Sequence, residues 1–370
     1  MKILHIIVGL GNGGAENTLL KVCSAKKIKF SHEVISLTKN NELSSKFKKN
    51  KIKVNYLDFK KNSFNIFQFY KLFKIINLAN TKYICGWMYH ACFVTILINF
   101  FFKKKKIIWL IRHGNFNKKY SKNTTIFLKN IIKLFSNIPK AICYCSQFSK
   151  YIHKKNGFNN SFSKIITNGV DIKKFKFNSA IRNRLRNKFK IPKNYFVIGI
   201  VGRNNPQKNH KQLFRILNSS RLNKLNKSIV LIGRDVKKFK SIEKLNNKNH
   251  KFIFLKQIKD IHNYYSMFDL NLSLSTYGES FPNVLIEGMS CKIPTLASNI
   301  ADNKFIIKNK YMIFKPNNDN ELINKIILIV KINRNKLITL KELLKKNIID
   351  NYSLEKMEKN YELFFKKIFN

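Results

Sequence analysis

The chain has 370 residues and a formal net charge of +53, from 72 Lys and Arg against 19 Asp and Glu. Its length predicts two domains, and its 44% hydrophobic content is enough to form their cores, which excludes a disordered chain. The charge favours an anionic partner, but Lys outnumbers Arg and is spread along the chain, which argues against specific base readout.

The six cysteines form no CxxC pair and no zinc-spaced cluster with histidine, which fits a reducing cytoplasm. The N-terminal "MKILHIIVGL" is shorter than the apolar region of a signal peptide and has no small-residue cleavage site. We therefore expect it to form a buried first strand.

Short apolar runs alternate with amphipathic stretches along the whole chain. The strand-like runs of the first half are "KILHIIVGL", "HEVISLT", "KVNYLDF", "YICGWM", "KIIWLIR", "AICYCS" and "KIITN". Those of the second half are "YFVIGIVG", "SIVLIG", "KFIFLK", "LNLSLS", "IPTLAS" and "YMIFK". Stretches such as "SKNTTIFLKNIIKLFSN" and "NHKQLFRILNSSRL" have the apolar spacing of helices. This alternation predicts an α/β chain with two open, doubly wound sheets.

Residues 83–102, "YICGWMYHACFVTILINFFF", are apolar enough to raise a membrane-spanning alternative. His90 and Asn99 interrupt the run, and its first part is rich in strand formers, so we expect a buried strand and then a buried helix.

A polar, basic segment at residues 179–194 separates the two halves. We place the first domain at 1–172 and the second at 193–350. The tail, 352–370, is predicted to form one amphipathic helix.

Three segments that follow predicted strands carry the candidate chemistry, because doubly wound sheets bind ligands at the carboxyl ends of their strands. In "GLGNGGAEN", glycines including Gly13 and Gly14 free the backbone ahead of a helix N-terminus, where an anion could bind. The full GxGxxG spacing is missing, so a plain strand-to-helix turn stays open. In "GIVGRNNPQKNH", Arg203 and Lys208 suit a diphosphate, and a solvated loop stays open.

The third segment, "TYGESFPNVLIEGM", contains Glu279 and Glu287. Pro282 suits the first turn of a helix, so Glu279 lies in the loop ahead of that helix and Glu287 more than one turn inside it. This placement argues against an acid/base pair, while a capping or dipole role for Glu279 stays open. The chain has no DxD, HExxH, GxSxG or GxxxxGK[ST] motif, which argues against a protein metal site, a serine hydrolase and a P-loop NTPase. The isolated His90 and His113 are structural histidines by default.

Taken in order, these segments resemble retaining glycosyltransferase family four, which has the GT-B fold. The resemblance covers nearly the whole chain. It is carried by "GNGGAE", "WMYHA", "IIWLIRHG", "YCSQFSKYIHKKNGF", "ITNGVDIKKFKF", "GIVGRNNPQKNH", "STYGESFPNVLIEGMSC" with its E-x7-E signature, "PTLAS" and "MIFKPNNDNELINKI". It implies two Rossmann-like domains facing an interdomain cleft, with the C-terminal helix packing back on the first.

The resemblance also implies roles for individual residues. Arg203 and Lys208 would hold the donor diphosphate, Glu279 the donor sugar, and Glu287 the ribose hydroxyls. His113 would face the donor sugar or the acceptor, and Gly14 would bring its backbone to the diphosphate. The implied catalytic residues are His113, Arg203, Lys208 and Glu279. The implied donor contacts are Gly13, Gly14, Arg203, Lys208, Ile258, Glu279, Ser280, Phe281, Pro282, Asn283 and Glu287.

The implied activity is transfer of a sugar from a nucleotide-diphosphate sugar, with a UDP-sugar as the expected donor, to a glycan or lipid-linked glycan acceptor in cell-surface polysaccharide or lipopolysaccharide synthesis. No metal or other cofactor is expected. The expected location is cytoplasmic and peripheral on an anionic inner membrane face. Two alternatives stay open: a basic nucleic-acid-binding protein, suggested by the charge alone, and a GT-B nucleotide-sugar epimerase or phosphorylase.

Overall fold

The computed structural model describes residues 1–60, 65–114, 123–239 and 250–369. The chain divides into two compact units. The first comprises Met1–Asn168 and Glu355–Asn370, and the second comprises Gly169–Leu354.

The first unit is built on a seven-stranded sheet. Its strands are β1 (Lys2–Ile7), β2 (Ser31–Ser36), β3 (Lys53–Tyr56), β4 (Tyr83–Trp87), β5 (Lys106–Ile111), β6 (Ala141–Tyr144) and β7 (Ser163–Ile165). Its helices are α1 (Gly14–Cys23), α2 (Ser44–Lys49), α3 (Ile66–Leu78), α4 (Met88–Phe101), α5 (Asn123–Leu134) and α6 (Gln147–Lys155). The strand order is β3-β2-β1-β4-β5-β6-β7, and every neighbouring pair is parallel.

The second unit repeats this arrangement on a six-stranded sheet. Its strands are β8 (Phe196–Val201), β9 (Lys227–Ile232), β10 (His250–Leu255), β11 (Leu270–Ser273), β12 (Thr295–Ser298) and β13 (Ile313–Phe314). Its helices are α7 (Ser179–Lys188), α8 (His210–Leu217), α9 (Ser220–Asn223), α10 (Ile261–Tyr265), α11 (Asn283–Ser290), α12 (Asn303–Ile307), α13 (Asp319–Val330) and α14 (Arg334–Tyr352). The order is β10-β9-β8-β11-β12-β13, again all parallel.

Both predicted sheets are thereby confirmed. The central strands are buried almost without interruption, because helices cover both faces of each sheet and leave no solvated face for alternating polar residues. In the first unit the chain steps from β3 to β4, β5 and β6 in one direction across the sheet. Right-handed crossovers therefore place α3, α4 and α5 on one face.

Residues 83–102 form β4 and then α4, whose side chains are mostly buried against the sheet. Among the described residues, no helix combines the length and the hydropathy that a membrane span requires. The strand-then-helix prediction is confirmed.

Two helical predictions need adjustment. "NHKQLFRILNSSRL" forms two helices, since the chain turns after α8 and the Ser219 side chain accepts a hydrogen bond from the Leu222 amide to start α9. The helix predicted in "SKNTTIFLKNIIKLFSN" is α5, and its first two residues lie outside the described residues. The tail forms α15 (Leu354–Phe369), nearly all of which belongs to the first unit.

Candidate functional site

The second unit has a topological switch point between β8 and β11. The chain leaves β8 for β9 on one side of the sheet and later returns to β11 on the other. Ligands of open parallel sheets bind at the carboxyl edge beside such a point. The loops that follow these two strands are the segments that contain Arg203, Lys208 and Glu279.

The structure brings Lys208 and Glu279 together. The Lys208 Nζ atom lies 2.6 Å from Glu279 Oε1, and the two side chains are only 19% and 12% exposed. The hydroxyl of the buried Ser275 donates to the same carboxylate oxygen at 2.9 Å. Ser275 is held in turn, because the Ser298 hydroxyl donates to its backbone carbonyl. The result is a largely desolvated ion pair in a fixed position at the carboxyl edge.

The two loops are also joined through their backbones. The Thr276 amide donates to the Gln207 carbonyl at 3.1 Å. Gly278 adopts a left-handed backbone with φ of +74°, and a Cβ atom there would lie 3.2 Å from Gln207 Nε2. The left-handed turn therefore favours glycine, and a Cβ atom there would also require the end of the Gln207 side chain to shift. Asn205 caps the 3-10 turn Pro206–Lys208 and so orients Lys208.

Arg203 lies at the start of the first loop and is exposed. In the part of the chain that the structure describes, its side chain has no hydrogen bond or ion pair. Beneath it the backbones of two loops nearly touch, because a Cβ atom on Gly233 would lie 2.2 Å from the Gly202 carbonyl oxygen. Arg203 thus offers its guanidinium to an anion without first breaking an internal bond.

Glu287 has a different partner from Glu279. It lies on α11, and the hydroxyl of the fully buried Tyr265 donates to its Oε2 atom at 2.8 Å. Burial, reinforced by the Glu287 carboxylate, raises the pKa of the Tyr265 hydroxyl well above its usual value, so that hydroxyl remains a donor. The geometry supports two separate carboxylate acceptors, each oriented by a hydroxyl, and does not support an acid/base pair.

The residues between the two carboxylates form the approach to α11. Pro282 is the residue before the helix, so the helix begins one residue later than the predicted first turn, and it supplies no capping side chain. Glu279 does not cap α11, since its described hydrogen bonds go to Lys208 and Ser275.

Three further predicted contacts lie around this edge. Ser280 is buried, and its hydroxyl has no hydrogen-bond partner among the described residues. The Phe281 side chain belongs to the core and packs on Tyr352, so only its backbone can face a ligand. Ile258 is half-buried and packs against the apolar cluster that contains Tyr265.

The first unit holds the other predicted residues at the carboxyl edge of its own sheet. Gly13 precedes α1, and a Cβ atom there would lie 2.4 Å from Glu16 Oε2, so a larger residue would require the flexible Glu16 side chain to move aside. Gly14 is the first residue of α1, and a Cβ atom there would meet nothing within 4 Å. The protein itself therefore sets no steric demand for glycine at position 14.

His113 follows β5. Its carbonyl accepts a hydrogen bond from the Ser149 hydroxyl at 2.7 Å, and its ring lies edge-on to Tyr89 at 5.6 Å. Tyr89 shares a 2.8 Å hydrogen bond with His153, whose other ring nitrogen lies 2.6 Å from the Ser149 carbonyl. Ser149 and His153 thus fix the backbone and the ring contact of His113. The other isolated histidine, His90, lies on the exposed side of α4.

One described cluster has the residue types of a metal site: the ligand atoms of His5, Cys23 and His32 all lie within 4.8 Å of one another. The positions of the protons on these side chains disfavour metal binding. Trp87 Nε1 donates to His5 Nδ1 at 3.0 Å, so the neutral His5 ring carries its proton on Nε2, which lies 2.9 Å from His32 Nδ1. Burial also raises the pKa of the Cys23 thiol well above its usual value, which disfavours the thiolate. This donor set is a hydrogen-bonded core cluster and does not fit a metal ion.

Sequence reasoning missed three residues that shape the second-unit site: Gln207, Tyr265 and Ser275. Ser275 follows β11 closely, and its position at a strand's carboxyl end was the available signal. Tyr265 carried no such signal, because it reaches Glu287 from the end of a different helix, α10.

Residues 181–348 match the sequence model of the glycosyl transferases group 1 family. No curated protein sequence matches the chain. Among solved structures, Anabaena Alr3699/HepE in complex with UDP is 18% identical with a TM-score of 0.84, over 99% of this chain and 100% of that one. The same protein has been solved with UDP-glucose.

Two other solved structures are similar over almost their full lengths. A glycosyltransferase from Rickettsia africae ESF-5 is 21% identical with a TM-score of 0.79, over 100% of this chain and 98% of that one. Sucrose-phosphate synthase from Thermosynechococcus elongatus is 15% identical with a TM-score of 0.81, over 100% of this chain and 99% of that one. These likenesses confirm the predicted GT-B fold.

Proposed function

We propose that this chain, whose residues 181–348 match the glycosyl transferases group 1 family model, transfers a sugar from a nucleotide-diphosphate sugar to a hydroxyl of a glycan or lipid-linked glycan. The observation that carries the proposal is the grouping of Lys208, Glu279 and Ser275 beside the switch point of the second sheet. A cation there suits phosphate, and a fixed carboxylate beside it suits sugar hydroxyls.

In this proposal Arg203 and Lys208 bind the donor diphosphate and neutralise the charge that develops on the departing nucleotide. Glu279 accepts hydrogen bonds from hydroxyls of the donor sugar, and the amides that begin α11 lie near the sugar and phosphate. Glu287 accepts hydrogen bonds from the ribose hydroxyls, with Tyr265 orienting its carboxylate. We propose a UDP-sugar donor, supported by the UDP and UDP-glucose complexes of the Anabaena protein.

We propose transfer with retention of anomeric configuration. The acceptor oxygen forms its bond to the anomeric carbon on the face from which the phosphate departs, the bond to the phosphate oxygen breaks, and that phosphate takes the acceptor's proton. No protein nucleophile is required for this route, and neither Glu279 nor Glu287 is a free base, since each holds a donor partner. His113, Gly13 and Gly14 remain proposed contributors from the first unit, and metal-independent action remains a proposal.

The proposal also includes the pathway in which the acceptor is used and the location of the protein in the cell. We infer a role in cell-surface polysaccharide or lipopolysaccharide synthesis at the inner face of an anionic membrane, supported by the net charge of +53.

The test is transfer by the purified protein with UDP-, GDP- and ADP-sugars, followed by identification of the product. Lys208→Ala should lower transfer about a hundredfold, while Lys211→Ala, an exposed lysine on α8, should leave it unchanged. An epimerised sugar without transfer would favour the epimerase alternative. Absence of both binding and turnover with every donor would reject the proposal.

A further inference from the structure

We propose that the first unit carries a membrane-docking surface, formed by the C-terminal ends of α3, α4 and α5 and the loops that follow them, which binds anionic lipid headgroups. This inference rests on the membrane attachment proposed above and assigns it to one defined surface.

The three helix ends expose large apolar side chains. Leu78 at the end of α3 is 72% exposed, Phe100 and Phe101 at the end of α4 are 57% and 70% exposed, and Leu134 at the end of α5 is 73% exposed. The exposure of α4 is concentrated here, because its preceding turns are largely buried. Large apolar side chains grouped at one surface mark an interaction site rather than the scattered exposure that any protein shows.

Contacts between the elements make this surface continuous. The Phe101 ring lies 5.0 Å from that of Phe73 on α3, and the Phe100 ring lies 6.1 Å from that of Phe135, just after α5. The ammonium of Lys105, in the loop after α4, donates to the carbonyl of Thr81 in the loop after α3 at 2.6 Å. All three helix ends therefore meet along the amino edge of β4, β5 and β6.

Lysines occupy the loops of the same surface. "FFKKKK" places Lys103 and Lys104, both exposed, directly after the two phenylalanines. The ammonium of Lys140, in the loop after α5, lowers the pKa of Lys106 at the start of β5. No Asp or Glu occurs between Asp58 and Asp171, so no carboxylate from α3, α4, α5 or their loops offsets this charge.

Aromatic and aliphatic side chains flanked by ammonium groups fit the boundary between lipid headgroups and acyl chains. A second copy of this chain would bring the same lysines against each other, which opposes self-association. Nucleic acid would satisfy the lysines and stack on the rings of Phe100 and Phe101, but it would leave the aliphatic Leu78 and Leu134 side chains exposed to water. An anionic membrane satisfies both the charges and the apolar side chains.

The experiment measures sedimentation of the full-length protein with vesicles of phosphatidylcholine alone or with about 30% phosphatidylglycerol. UDP binding is measured separately. We expect binding to the anionic vesicles that weakens with added salt. Phe100→Ser with Phe101→Ser, and Lys103→Gln with Lys104→Gln, should each weaken it by about tenfold or more.

The matched control is Phe305→Ser with Lys304→Gln. Phe305 is also exposed, and Lys304 lies 5.0 Å from the centre of its ring, but both belong to the second unit. This control should bind vesicles as the unchanged protein does. Equal loss in the control and docking variants would overturn the inference, as would vesicle binding that neither docking variant weakens.

Lost vesicle binding with UDP binding retained identifies the docking surface independently of the donor site. Absence of vesicle binding by the unchanged protein would reject the surface and leave the proposed transfer intact. Absence of UDP binding with vesicle binding present would reject the proposed UDP-sugar donor instead. Tighter binding to nucleic acid than to anionic vesicles, reduced by the same variants, would overturn the lipid assignment.

Discussion

Replacing Lys208 with Met breaks the ion pair with Glu279 and leaves that carboxylate with the Ser275 hydroxyl as its partner. Breaking a fully buried pair costs about 3–5 kcal/mol. The 19% and 12% exposures of these side chains reduce the expected loss to about 2 kcal/mol. For a unit of this size the melting temperature should fall by about 4–8 °C. Transfer should fall by about 10²–10³, since Lys208 is also proposed to neutralise the leaving phosphate.

The double variant Lys208→Met with Glu279→Leu separates structure from function. Replacing both charges by apolar side chains removes the unpaired carboxylate, so most of the lost unfolding free energy should return. Transfer should stay low because both proposed donor contacts are gone. Urea denaturation and initial transfer rates with a UDP-sugar measure the two effects. Recovery of transfer in the double variant would refute the reasoning, because the pair would then be structural only.

Three further predictions address other parts of the structure. Tyr265→Phe removes the hydroxyl that orients Glu287 and should weaken UDP binding by about tenfold, with less effect on the binding of 2′-deoxy-UDP. Calorimetric titration of both ligands measures the two affinities, and an equal loss of affinity for both would contradict the proposed ribose contact. Gly14→Ala should leave the unfolding free energy within about 1 kcal/mol, because its Cβ meets no protein atom, yet lower transfer; unchanged rates would remove Gly14 from the proposed site. Burial lowers the pKa of His153 in the folded chain to about 3. As the pH falls below about 6.5, the unfolded chain therefore binds a proton at this histidine that the folded chain does not bind. The contribution of His153 to the free energy of unfolding is complete above about pH 6.5 and is lost as the pH approaches 3. Urea denaturation at pH 7 and about pH 5 should show a loss of about 2 kcal/mol from this group that is missing in His153→Gln; an unchanged pH dependence in the variant would contradict it.

The fold was predictable from sequence because buried parallel strands need continuous β-branched and aromatic runs, and each such run became a strand. The apolar segment 83–102 was resolved the same way, since Gly86 and its neighbours form a strand before the helix begins. The break between α8 and α9 was less accessible. The first helix ends at Leu217 and Ser219 caps the next, and apolar periodicity continues across that cap.

The sequence indicated which segments form the candidate site, but it did not indicate which side chains contact one another there. Strand ends indicated where Lys208 and Glu279 lie, because carboxyl ends of neighbouring parallel strands share an edge. Their direct pairing depends on the left-handed turn at Gly278, which sets the direction of the loop. The contact of Tyr265 with Glu287 joins two helices through packing, and local sequence patterns carry no information about such a contact.

The central claim, that the second unit binds a nucleotide donor through Lys208 and Glu287, is tested most directly by thermal unfolding with UDP. At about one hundred times its dissociation constant, UDP should stabilise the protein by about 2.7 kcal/mol and raise the melting temperature by several degrees. Glu287→Ala should abolish this increase, and Lys211→Ala should retain it. No increase with UDP, GDP or ADP, or an equal increase in Glu287→Ala, would contradict the account.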